Sequence, residues 1–108
     1  MRKLNNESVA SMQAEPFCVI MFTAGWCGPC RAVKPLFEQL ADSTPQLPFY
    51  VCDIDEAGYV AALYGVRSVP TFLSLVRGRA FLSMTGANKA GLVQLVNSAA
   101  AEARGEAI

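Results

Sequence analysis

Seven residues, FCVIMFT at 17–23, are apolar except for the final threonine. So short an apolar run suits a strand covered on both faces, as inside a parallel sheet. FYVCDI at 49–54 has the same character. Between them Val33, Leu36, Phe37, Leu40 and Ala41 recur at i, i+3, i+4, i+7, i+8, the spacing of one buried helix face. Residues 17–54 therefore predict a strand–helix–strand unit, parallel and right-handed. Pro29 suits the first turn of that helix, where a missing N–H costs nothing. Pro35 falls inside the pattern and predicts a bend.

The rest of the chain arranges itself around this unit. EAGYVAALYG (56–65) reads as a shorter helix. TFLSLV (71–76) and RAFLSM (79–84) are separated by Arg77-Gly78, two residues that suit a tight antiparallel hairpin. Asn88 can cap a last helix whose inner face is Leu92, Leu95, Val96 and Ala99. In the first 16 residues, Arg2 to Leu4 fit a stub of edge strand. Asn5 or Asn6 can cap a short helix reaching about Met12. The tail 103–108 is expected to fray. The sum is one α/β domain over 1–108 with a mixed sheet, parallel in the middle and with a hairpin at one end.

A chain of 108 residues is long enough for one core, and 53% hydrophobic against 17% charged argues against disorder. Lys+Arg and Asp+Glu balance at 9 each, which favours neither nucleic acid nor an anionic membrane as partner. Histidine is absent, which removes imidazole acid–base catalysis and every metal site that uses it. Met1-Arg2-Lys3 has the charge of a signal-peptide start, but LNNESVASMQAE behind it is too polar to continue one. A soluble protein kept in a reducing, cytoplasmic compartment is expected.

The chemistry lies in Cys27-Gly28-Pro29-Cys30, placed directly after the first buried strand, where the long helix begins. Free N–H groups and the positive end of the helix dipole favour an anion there. A Cys27 thiolate is such an anion, so Cys27 is expected to be the more acidic and more exposed thiol. Cys30, one turn inside on the side of Val33, is expected to be less exposed. Cys27 then attacks a substrate disulfide and Cys30 resolves the mixed disulfide. Gly28 lets a substrate backbone approach, and Pro29 stiffens the turn. Half of a zinc site built from Cys18, Cys27, Cys30 and Cys52 is the alternative, although tetrahedral zinc needs four converging ligands. Cys18 and Cys52 stand inside apolar strands and read as small core residues. A disulfide between them would meet demanding geometry.

WCGPC, Pro35, Tyr64-Gly65-Val66-Arg67, Val69-Pro70-Thr71, Gly78 and Gly86 together resemble the thioredoxin family, in order and in spacing, from about Phe17 to Ala100. The resemblance implies the thioredoxin fold: a central mixed sheet flanked by helices on both faces. It implies a cis Pro70 and a Val69 whose backbone receives an extended substrate. It implies a docking surface of Trp26, Gly28, Pro29, Val69, Pro70 and Gly86, with Thr85 where an apolar residue is common. It also implies no bound cofactor or metal and a redox-active Cys27–Cys30 disulfide. Disulfide-containing client proteins are the implied substrates. An NADPH-dependent flavoprotein reductase, thioredoxin reductase, would recharge the pair, and a monomer is expected. The function so implied is a protein-disulfide reductase. A binding subunit docking partners around Trp26 and Pro70 is the alternative, and an oxidase or isomerase of secreted proteins is a third reading.

One departure from the family pattern stands out. The position of Met21 usually holds a buried Asp, proposed to take the proton of the resolving cysteine, and a Lys commonly stands at the position of Val51. Losing one charge alone would strand the other, whereas losing both leaves a coherent apolar floor. Proton removal from Cys30 is then expected to fall to water or to the departing thiolate. Asp53 and Asp55, near a strand end, are candidates only where geometry brings them close; otherwise they serve as loop and cap residues.

Overall fold

The computed structural model describes residues 1–105. Five strands form one sheet in the order β1-β3-β2-β4-β5. β1 is Arg2–Lys3, β2 is Phe17–Thr23 and β3 is Phe49–Asp53. β4 is Thr71–Val76 and β5 is Arg79–Thr85. β1 and β2 both run parallel to β3, while β4 pairs antiparallel with β2 and with β5. This is the mixed sheet and the parallel strand–helix–strand unit expected from the sequence. Four helices complete the chain: α1 Val9–Ala14, α2 Gly28–Ser43, α3 Gly58–Leu63 and α4 Lys89–Ala103.

Side chains alternate across a strand, so each strand feeds two cores. On one face Val19, Met21, Phe49, Val51 and Phe72 meet Val33 and Phe37 of α2 and Leu92, Leu95 and Val96 of α4. Phe37 stacks at a tilt against Phe49 and Phe72, with ring centroids 5.1 and 5.7 Å apart. On the other face Cys18, Ile20, Phe22, Cys52 and Leu75 meet Met12 of α1 and Val60 of α3. The sheet is thus covered on both sides, which is why β2 and β3 read as unbroken apolar runs. Leu36, Leu40 and Ala41 are only partly buried, at the margin of the first core.

Local chemistry sets most of the boundaries. Arg77 and Gly78 both have positive φ, 50° and 80°, the backbone that a two-residue hairpin turn requires. Asn88 Oδ1 accepts the Gly91 N–H at 2.8 Å and caps α4 as expected. α2 runs on through Pro35, whose ring nitrogen leaves the Arg31 carbonyl without its helical N–H.

The N-terminal helix departs from its expected start. It begins at Val9 with Ser8 at the cap position, and no side chain caps it. Asn5 Oδ1 instead accepts the Glu7 and Ser8 N–H groups at 2.8 and 2.9 Å, so Asn5 caps the turn before the helix. Ser8 Oγ is engaged by the Asn5 N–H at 3.0 Å. Ala103 closes α4, and Arg104-Gly105 forms a turn; the rest of the tail expected to fray lies outside the described residues.

Candidate functional site

β2, the central strand, delivers the chain to one end of the sheet, and Ala24-Gly25-Trp26 carries it from there into α2. The Cys27 N–H donates to the Ala24 carbonyl at 3.1 Å, which closes this turn. Cys27 then occupies the N-cap of α2 in extended backbone, and its Sγ accepts the Cys30 N–H at 3.2 Å. Sulfur thus holds the place that a Ser or Asp oxygen usually takes, among the unpaired N–H groups of a 16-residue helix. Negative charge on Cys27 Sγ is favoured at this point. Pro29 is in the first turn, as its sequence position requires.

Cys27 and Cys30 are joined by a disulfide, with Cα atoms 5.3 Å apart. The pair is therefore described in its oxidised state. Cys27 is 4% exposed and Cys30 1%, so the expected order holds but the expected contrast does not. Bonded to Cys30 and tucked against its N–H, the Cys27 sulfur is buried. Gly28 and Pro29 over it are exposed, and Trp26 is 68% exposed.

The Val69–Pro70 peptide bond is cis. Val69 is half-buried and packs against the core that contains both cysteines. Phe22 pairs with Thr71 in the β2–β4 ladder, so one step further Thr23 and Pro70 reach the same end of the sheet, where the dithiol turn begins. The Pro70 carbonyl accepts the Gly86 N–H at 2.8 Å, tying the loop before β4 to the residue after β5. Gly86 has φ +100°, a conformation that L side chains rarely adopt. Thr85 Oγ1 lies 3.4 Å from Thr71 Oγ1, a partner that an apolar residue would not give. Val69, Pro70 and Gly86 thus form one tied unit, packed through Val69 on the core of the dithiol.

Sequence reasoning missed what holds Trp26. Its Nε1–H donates to Asp55 Oδ2 at 3.0 Å across 29 residues, and no short-range pattern announces such a bond. Asp53 does serve as a loop cap, its Oδ1 accepting the Asp55 N–H at 2.9 Å.

The two remaining cysteines are free and buried. Cys18 faces the core opposite the dithiol, and so does Cys52. Phe22, four residues beyond Cys18, is the residue paired with Cys52, so some 13 Å of strand separates the two thiols, too far for a disulfide. Burial pushes the Cys18 thiol up to about 12, with Glu15 adding to it, and the Cys52 thiol up to about 11, with Asp53 adding to it. Both stay protonated and unreactive at neutral pH. With two cysteines on each face of the sheet, the four do not converge on a zinc ion. Among the described residues no group of three or more His, Cys, Asp or Glu side chains could hold a metal.

Residues 3–98 match the family model described as Thioredoxin. The chain is 37% identical over 94 residues to a TPR repeat-containing thioredoxin of Arabidopsis thaliana, covering 87% of this chain and 25% of that protein. It is 34% identical over 94 residues to thioredoxin-1 of Saccharomyces cerevisiae, covering 87% of this chain and 91% of that one. Thioredoxin of Fasciola hepatica, a solved structure, superposes with a TM-score of 0.82 at 32% identity, covering 92% of this chain and 99% of that one.

Proposed function

The chain belongs to the thioredoxin family, its Cys27–Cys30 pair is that of a thiol–disulfide oxidoreductase, and on that premise we propose that it works as a protein-disulfide reductase. Cys27 is the nucleophile: its thiolate attacks a disulfide of a client protein and forms a mixed disulfide. Cys30 attacks Cys27 Sγ, the client leaves as a dithiol, and the Cys27–Cys30 disulfide remains. The observation that carries this reading is the Cys27 sulfur at the N-cap of α2, with the Cys30 N–H directed at it. That N–H stabilises negative charge on the attacking Cys27 thiolate.

Clients dock on the exposed ring of Trp26, on Gly28 and Pro29, and on the half-buried Val69 and Gly86 around Pro70, whose own ring is buried. The Val69 N–H and C=O, free of backbone partners among the described residues, accept an extended client segment. A flavoprotein reductase using NADPH returns the pair to the dithiol, so the protein carries electrons to clients as a monomer in the cytoplasm and maintains redox homeostasis there. No helix among the described residues is long and apolar enough to cross a membrane. A purely binding role for the Trp26 surface is not favoured, since the redox pair is complete.

Equilibration of the pair with a dithiol buffer of known poise tests the direction of this chemistry. A reductase should equilibrate at about −270 mV, the thioredoxin value. A potential near the −120 mV of a strong disulfide donor would transfer the assignment to an oxidase.

A further inference from the structure

Cys30 must lose a proton before it can attack, and the floor beneath it holds no base. Met21 and Val51 are partners in the β2–β3 ladder, on the face that Cys30 packs against, and both are buried. Two residues further along the same ladder and face, Thr23 pairs with Asp53. The polar pair is thus displaced by one pleat repeat, about 6.6 Å, toward the carboxyl end of the strands. A cleft of about 170 Å³ opens there, with Cys30, Thr23, Arg31, Lys34 and Asp53 on its wall. One water needs only about 10–15 Å³, and these polar groups give it partners.

The two aspartates near this strand end are now distinguishable. Asp55 is turned to the Trp26 ring through its Oδ2. Asp53 uses Oδ1 for the Asp55 N–H, and its other oxygen has no protein hydrogen bond among the described residues. Charged and titratable groups surround Asp53 on several sides. α2 contributes Arg31, whose guanidinium donates to the Gly25 carbonyl at 2.7 Å, and Lys34. β1 contributes Lys3, whose ammonium pairs with Glu56 at 2.6 Å. Asp55 and Glu56 follow in the same loop, and the Cys52 thiol lies behind the strand.

We propose that Asp53 is the proton acceptor for Cys30, reached through water in this cleft, so that the base of the resolving step stands one pleat away from the apolar floor. The proposal rests on the reductase reading. In the mixed disulfide, the Cys30 S–H passes its proton to water and on to the Asp53 carboxylate. The Cys30 thiolate attacks Cys27 Sγ, forming the Cys27–Cys30 bond as the Cys27–client bond breaks. The client sulfur leaves with the electron pair and takes up a proton from Asp53 or from solvent. One disulfide is oxidised into being and one is reduced.

Stopped-flow mixing of the reduced full chain with 5,5′-dithiobis(2-nitrobenzoate) separates the two steps. A first release of coloured thiolate reports attack by Cys27, and a second reports resolution by Cys30. Asp53→Asn keeps an oxygen for the Asp55 N–H but cannot take the proton. The second phase should slow about tenfold or more below neutral pH and lose the limb that follows carboxylate ionisation, with the first phase unchanged. Asp53→Glu should restore that limb. An Asn variant with the wild-type second phase and pH profile, or with both phases slowed equally, would overturn the proposal. Failure of the wild-type chain to give any second phase would strike the reductase reading itself.

Discussion

Met21 lies in the core beneath the dithiol at 0% exposure, and Val51 stands beside it as its ladder partner. Restoring a charge there has a calculable sign. A carboxylate introduced by Met21→Asp would be surrounded by Val19, Val33 and Phe72 of the same core. Burial disfavours its charged form and raises its pKa in the folded state. The unfolded chain then releases the proton first as pH rises, so stability falls from the unfolded pKa, about 3.9, up to the folded one. Met21→Asp should lower stability by about 3 kcal/mol or more through lost packing alone, and by more at pH 8 than at pH 5. Val51→Lys should recover part of the loss, because the two positions are direct partners. Urea melts of both variants at the two pH values measure this; equal losses at both, with no coupling, would contradict an apolar floor.

The elements that frame the site are held by a network the sequence does not display. Tyr64, just past α3, donates its hydroxyl to the Gly78 carbonyl of the hairpin turn at 2.7 Å, and Gln13 of α1 donates to that hydroxyl at 3.2 Å. Gly78 itself has φ +80°, and a Cβ there would stand 2.9 Å from Gln13 Cβ and 3.2 Å from the Gln13 carbonyl. Gly78→Ala should therefore cost about 1–3 kcal/mol, from both strain and collision. For a domain of this size that is a fall of several degrees in Tm for each kcal/mol, with the Cys27–Cys30 potential unchanged. The turn at 77–78 and the inner faces of α2 and α4 were legible because turn chemistry and helical periodicity are local. The start of α1 was not: Asn5, Asn6 and Ser8 are all capping types, and only the bond between Asn5 and Ser8 decides which cap is made. The Trp26–Asp55 bond depends on a contact between separate segments, which no window of sequence contains.

At the scale of the whole molecule, the sheet separates two kinds of thiol. One face, under α2 and α4, carries the redox pair; the other, under α1 and α3, keeps Cys18 and Cys52 protonated in apolar surroundings. That division was partly legible, since WCGPC precedes a helix while Cys18 and Cys52 lie within strand-like runs. The face each strand residue takes follows from the period of two once the register is known. The register also places Asp53 on the side of Cys30, where the sequence alone left it either a candidate base or a loop and cap residue. The central claim is that Cys27 and Cys30 alone exchange electrons with a protein disulfide. Its most direct measurement mixes the prereduced chain with insulin in equal amounts, quenches in acid, and maps thiols and disulfides by mass spectrometry. One insulin disulfide should disappear for each Cys27–Cys30 disulfide formed, with Cys18 and Cys52 still thiols, and Cys27→Ser should transfer nothing. Insulin left intact by the wild-type chain, or reduced as well by Cys27→Ser, would contradict the account.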